Sequence, residues 1–206
     1  MARLSDLLFT PSCIGCAQFG EHLCQNCEQN LEPITSRKFA GFEAIAMASE
    51  YGGWLRESLI RYKNGQKQIS PGLAKVLATT LLTAQFPRPL TLIPIPTTRE
   101  KMVQRGFDSM HEILKSLEVD TSQYRIEFGQ LQVRLGMLDQ VGLSALERKR
   151  NLAGAFKSIS QITGTVCVVD DVITTGATLN AASQALKVAG AQRVFGLAIC
   201  GSKQWR

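Results

Sequence analysis

A chain of 206 residues with 45% hydrophobic and 19% charged side chains has material for one ordinary globular core and a small appendage, and is too apolar for a disordered protein. No run approaches the ~20 apolar residues that span a bilayer, and Met1 to Thr10 lacks the apolar stretch and cleavage site of a secretion signal, so the expected location is the cytoplasm. The net charge of +6 favours anionic partners, whether a pyrophosphorylated sugar, nucleic acid or an acidic protein, and does not choose among them.

Near the N-terminus, Cys13-Ile14-Gly15-Cys16 and Cys24-Gln25-Asn26-Cys27 are two CxxC pairs seven residues apart. Each pair puts two thiolates on one tight turn, and two such turns supply the four ligands of tetrahedral Zn²⁺. Disulfide, redox and iron–sulfur use are the alternatives; a cytoplasmic setting argues against disulfides. A four-cysteine shell leaves no open position for substrate, so zinc here is structural, organising a module over residues 1–35. His22 reads as a bystander on a surface turn.

The remaining residues, 40–206, read as alternating strands and helices. Phe42 to Ser49 suits a strand, and Trp54 to Tyr62 carries Leu55, Leu59 and Tyr62 at helical spacing. Arg56, Arg61, Lys63 and Lys67 lie among Tyr51, Trp54 and Tyr62. This mixture suits single-stranded DNA, or more simply aromatics in a core beneath a solvated basic face. Pro71 opens a helix that continues over Leu73 to Leu82, and Pro87 and Pro89 stop it before a strand from Thr91 to Ile95. Pro94 to Arg99 then follows that strand directly. Arg99, Lys101 and Arg105 are candidates to neutralise a pyrophosphate there, with Arg105 ahead of Lys101, the alternative being a solvated basic surface.

His111 to Leu117 is a helix candidate in which His111 is structural. Gly129 to Leu143 is the least regular stretch and reads as a hood loop. Ser144 to Leu152 is another helix candidate, and Arg134, Arg148, Lys149 and Arg150 flank Gln140 as a second basic cluster. A last strand runs from Arg193 to Cys200 after a helix ending at Gly190. Cys167 and Cys200, in apolar runs, read as small core hydrophobes. The order of elements predicts a parallel α/β sheet with ligands at the carboxyl ends of its strands.

The most specific stretch is Val166 to Thr178. Val166 to Val169 suits a strand covered on both faces. Asp170 and Asp171 end it, and Thr174, Thr175, Gly176, Ala177 and Thr178 turn into the helix Leu179 to Val188. Unpaired amides at that helix start, with hydroxyls and the helix dipole, favour a phosphate. Gly176 permits a close backbone approach, and the carboxylates face sugar hydroxyls. The alternatives are a Walker-B-like metal site and an ordinary polar strand end; neither accounts for the threonines, and a Walker B acid also lacks its partner because no GxxxxGK[ST] occurs.

Asp170 to Thr178 resembles the phosphoribosyl pyrophosphate (PRPP) motif of type I phosphoribosyltransferases. The four cysteines, Tyr51-Gly52-Gly53, Lys63-Asn64-Gly65, Ile93-Pro94-Ile95-Pro96, Arg105-Gly106-Phe107 and Glu147 to Leu152 together resemble the competence protein F family over nearly the whole chain. The resemblance implies a type I phosphoribosyltransferase fold that takes PRPP with Mg²⁺. Its 5-phosphate would lie on Thr174 to Thr178 and its 2- and 3-hydroxyls on Asp170 and Asp171. Arg99 and Arg105 would stabilise the leaving pyrophosphate, and the loop with Gln140 would exclude water. It also implies a role in natural competence and DNA uptake. That role is either phosphoribosyl transfer to an unnamed acceptor or non-catalytic work as a single-stranded-DNA-binding protein or adaptor for a competence helicase or recombination mediator. Two positions depart from the family pattern: Asp108 stands for asparagine and Met137 for threonine. Both lie outside the PRPP loop.

Overall fold

The structure is a computed structural model of the chain and describes residues 10–37, 39–134 and 154–203. Gln140, Met137, Arg148, Lys149, Arg150, the helix candidate Ser144 to Leu152 and residues 135–143 of the hood loop lie outside the described residues.

Six strands form the main sheet: β1 (Ile34–Ser36), β2 (Ile45–Glu50), β3 (Leu90–Pro94), β4 (Tyr124–Ile126), β7 (Thr165–Ile173) and β8 (Arg193–Gly201). Their order is β1-β2-β8-β7-β3-β4, with every neighbouring pair parallel except β1 with β2. The helices are α1 (Gln25–Gln29), α2 (Gly53–Lys63), α3 (Ser70–Ala84), α4 (Arg99–Arg105), α5 (Ser109–Lys115) and α6 (Ala177–Val188). The expected parallel α/β sheet with an N-terminal four-cysteine module is therefore what the chain forms.

Period-2 alternation along the central strands divides the interior in two. Cys167 and Val169 of β7 and Leu197 and Ile199 of β8 face one core, built with Leu55, Leu59 and Tyr62 of α2, Leu73 and Leu77 of α3 and Ile113 of α5. Val166, Val168 and Ala198 face the other, with Leu179, Ala182 and Leu186 of α6. Cys167 and Cys200 are wholly buried, and burial pushes both thiols well above their ordinary range, as suits core hydrophobes.

Ile14 and Leu23 of the cysteine module share the first core with α2 and α3. A Cβ on Gly72 of α3 would stand 2.6 Å from the His22 carbonyl oxygen and 2.6 Å from an Ile14 methyl, so only glycine lets the helix approach this closely.

The irregular reading of Gly129 to Leu143 needs correction in its first part. Leu131–Val133 is a strand, β5, paired antiparallel with β6 (Phe156–Ser158) beside α6. Helix α4 and strand β4 are further elements the sequence reading did not contain.

Candidate functional site

Strands β3 and β7 are neighbours in the sheet, and their chains then part. β3 leads through α4 and α5 to β4 on one side, while β7 leads through α6 to β8 on the other. Such a divergence opens a crevice at the carboxyl ends of the two strands. The Ile95 N–H donates to the Val169 carbonyl at 2.9 Å, so Pro94 to Arg99 starts alongside Asp170.

At the end of β7 the strand period sends Asp170 and Asp171 toward opposite sheet faces. Asp171 meets Lys63, the last residue of α2, with Nζ and Oδ2 2.8 Å apart and the side chains 30% and 14% exposed. Asp170 Oδ1 accepts the Asp171 N–H at 2.8 Å. Burial, followed by the neighbouring Asp171 charge, pushes the Asp170 carboxyl up to about 7. The Asp171 N–H, Lys63 and Lys101 oppose that shift. A carboxyl held near neutrality at a strand end marks a functional-site candidate.

The following loop is fixed from one side by Ser202, whose N–H donates to the Ile173 carbonyl (2.9 Å) and whose Oγ donates to the Thr174 carbonyl (2.8 Å). Thr174 and Thr175 are exposed, and the Ala177 N–H reaches Thr175 Oγ1 at 3.4 Å. Helix α6 then begins from Gly176, which has φ 74°. The face of Gly176 where a Cβ would stand is filled by the Phe39 ring. The glycine thus accommodates an aromatic ring, and the first amides of α6, which precede any helix carbonyl that could accept from them, are donors suited to an anion, that of Ala177 once it leaves Thr175 Oγ1.

On the β3 side, Thr98 caps α4 by accepting the Lys101 N–H, and Arg99 and Lys101 are exposed. Arg105 ends α4 with its Nη1 2.7 Å from Ser109 Oγ, a contact with the next helix. Asp108 caps α5, accepting the His111 N–H (3.1 Å) and the Thr97 hydroxyl (2.9 Å), which ties the rim loop to that helix. His111 packs on the Phe128 ring.

Lys63 and Phe39 were not among the residues assigned to this crevice from sequence. A signal existed for Lys63, since Lys63-Asn64-Gly65 is one of the blocks carrying the family resemblance. None existed for Phe39, whose contact crosses most of the chain. The basic residues weighed for DNA are partly engaged within the chain: Arg61 holds the Ile14 carbonyl, Lys63 holds Asp171 and Lys67 holds Glu112, while Arg56 stacks over Tyr51.

In the cysteine module the Sγ atoms of Cys13, Cys16, Cys24 and Cys27 all lie within 4.8 Å of one another. Cys16 and Cys24 are 3.6 Å apart, well beyond a disulfide bond and close to the ~3.8 Å edge of a zinc–thiolate tetrahedron. The donor set therefore fits one four-coordinate zinc ion. Burial raises the Cys13 pKa, but the N–H groups of Cys24, Cys16 and Gly15 outweigh it and bring the thiol down to about 6. Cys27 is pushed up to about 12, first by burial and then by hydrogen bonds with the other thiols.

Purified chain is expected to carry one zinc per molecule by atomic emission. Cys13→Ser or Cys27→Ser should lose it and melt lower by roughly 10 °C, the equivalent of ~3–5 kcal/mol. A metal-free wild type with an unchanged melting temperature after chelation would contradict the zinc assignment.

Fold and sites together define an α/β protein with a mostly parallel sheet, a carboxylate-bearing crevice at its switch point and a four-cysteine module. No family model matches the chain. It is 28% identical over 199 residues to competence protein F of Haemophilus influenzae, covering 91% of this chain and 84% of that protein. It is also 30% identical over 182 residues to a ribose-phosphate pyrophosphokinase of Ralstonia nicotianae, covering 79% of this chain but 54% of that protein, about half its length. Among solved structures it is similar to hypoxanthine phosphoribosyltransferase from Staphylococcus aureus. That likeness has 15% identity and a TM-score of 0.39, and covers 71% of this chain and 73% of that one. For the Trypanosoma cruzi enzyme the figures are 18%, 0.37, 70% and 69%. Among the described residues no helix is long and apolar enough to cross a membrane.

Proposed function

We propose that the protein binds PRPP with Mg²⁺ in the crevice between β3 and β7, as a cytoplasmic component of natural competence and the handling of incoming DNA. The observation that carries this reading is the pairing of two carboxylates with a hydroxyl- and amide-rich helix start at the point where β3 and β7 diverge. The names of the two curated relatives, one for competence and one for ribose phosphate, support the same reading.

In this scheme the amides of Ala177 to Leu179 and the hydroxyls of Thr174, Thr175 and Thr178 hold the 5-phosphate. Asp170 and Asp171 accept from the ribose hydroxyls. Arg99 and Arg105 hold the pyrophosphate, Arg105 after leaving Ser109. Bound Mg²⁺ would offset the pyrophosphate charge, and the protein's part is to position and to neutralise. Zinc in the cysteine module is structural.

Arg61 and Lys67 are engaged inside the chain, which favours a small anionic ligand here over a strand of single-stranded DNA. Titration of zinc-loaded protein with Mg²⁺ and PRPP by calorimetry is the test, followed by pyrophosphate release across a panel of nucleobases and single-stranded DNA. Binding with base-dependent release identifies a transferase and its acceptor. Binding without release identifies a sensor or an adaptor, for which a helicase or recombination mediator is the candidate partner. Absence of binding overturns the reading.

A further inference from the structure

Helix α2 joins two features that otherwise stand apart. At one face its Ser58 Oγ and Arg61 Nη2 both donate to the Ile14 carbonyl, at 2.8 and 2.9 Å, and Arg61 Nη2 also lies 3.2 Å from Ser58 Oγ. Ile14 sits between Cys13 and Cys16, inside the first metal-binding turn, and is 3% exposed. Two residues beyond Arg61 the helix ends at Lys63, whose ammonium stands 2.8 Å from Asp171. Ser58 is wholly buried, so its hydroxyl bond to Ile14 is made away from water, where losing a partner is costly.

The first turn of the cysteine module thus holds the last turn of α2, and the last turn of α2 delivers a cation to the crevice. Lys63 also lies near enough to Asp170 to lower its proton affinity. A cation paired with a carboxylate in the free protein can exchange that partner for the anionic groups of a phosphorylated ligand. Asp171 is then released for the ligand's hydroxyls.

We propose that Lys63 is a ligand-binding residue of the crevice and that the cysteine module positions it through Ser58 and Arg61, so that zinc occupancy sets the affinity for phosphorylated ribose. This rests on the PRPP reading above. Zinc, by holding the Cys13 to Cys16 turn, keeps the Ile14 carbonyl where both donors of α2 meet it. A loosened turn leaves Ser58 and Arg61 without that acceptor and lets the end of α2 move away from β7.

The test is calorimetric titration of the full, zinc-loaded chain with Mg²⁺ and PRPP. Lys63→Met should bind about tenfold more weakly, the loss of one charge-assisted contact. Ser58→Ala combined with Arg61→Met should retain zinc and a cooperative melt yet bind ~3–10-fold more weakly. Adding Lys63→Met to that pair should cause little further loss than Lys63→Met alone, because all three act through one contact. Arg61→Lys, which keeps a donor for the Ile14 carbonyl, should regain most of the affinity. Chelation of zinc from the wild type should weaken binding to a similar degree. Because metal-free protein can lose structure more widely, the zinc-retaining variants decide the matter. Wild-type affinity in the Ser58 and Arg61 pair, or losses that simply add, would overturn this proposal while leaving the PRPP reading intact. A wild type that binds no PRPP overturns both.

Discussion

The variant carrying both Asp170→Asn and Asp171→Asn is expected to bind Mg²⁺ and PRPP at least a hundredfold more weakly than the wild type. Each carboxylate would accept a charge-assisted hydrogen bond from a ribose hydroxyl, worth ~1.5–3 kcal/mol, and two such losses correspond to two or more decades in the dissociation constant. Asp170→Asn alone should show a further, opposite effect on the free protein. The Asp170 carboxyl stands at about 7 in the folded chain against an ordinary 3.8, chiefly through burial and then through Asp171. The folded state therefore binds this proton more tightly than the unfolded chain does. The stability it contributes is full below about pH 4 and is lost as pH climbs through about 7. The asparagine variant should lack that slope and melt higher than the wild type at pH 8, because its Oδ1 still accepts the Asp171 N–H and one of two adjacent charges is gone. Gain of stability with loss of binding is the mark of a residue placed for function. Melting curves from pH 4 to 8 beside calorimetry measure both. Undiminished PRPP affinity in the double variant would sink the cradle assignment.

The same physics explains what could be read from the sequence. The β7 to α6 passage was legible because each of its signals is local. An unbroken apolar run dictates a strand covered on both faces, the hydroxyl- and glycine-rich turn ends it, and a helical pattern resumes. The cysteine module was legible because metal spacing is a local property too. Helix α4 was not: Met102 and Val103 point to solvent, 43% and 79% exposed, so no apolar face marks it. Strands of three residues, such as β4, leave too short a period to recognise.

Side-chain direction was the other blind spot. Spacing does not carry the direction in which Arg105 turns, toward Ser109 of α5. Lys63 acquires its place beside Asp171 only when α2 packs against the sheet. Tyr62 shows how firmly it packs: its hydroxyl donates to the Ser109 carbonyl at 2.8 Å, and burial holds its pKa far above the usual phenol range.

Gly176→Ala should destabilise the chain by ~2–4 kcal/mol, and the loss should be largely relieved by removing one distant ring. Of this, ~1 kcal/mol comes from placing a side chain at φ 74° and ~1–3 kcal/mol from overpacking, since the new methyl would lie within the Phe39 ring. The ring cannot easily retreat. Phe39 is buried and meets Phe42 edge to face at 5.4 Å, and the Gly41 carbonyl between them accepts from Ser183 Oγ (2.9 Å) and Lys187 Nζ (2.7 Å) of α6. Phe39→Ala alone should cost ~3–5 kcal/mol by leaving a cavity against the second core. In that background the added methyl meets open space, and Gly176→Ala should cost only the ~1 kcal/mol of backbone strain. Urea denaturation of the four proteins in this cycle gives the coupling. Purely additive costs would show that the ring does not set the requirement for glycine. A coupling of ~1–3 kcal/mol would place Phe39 among the residues that fix the start of α6, and with it the amides proposed to hold the 5-phosphate.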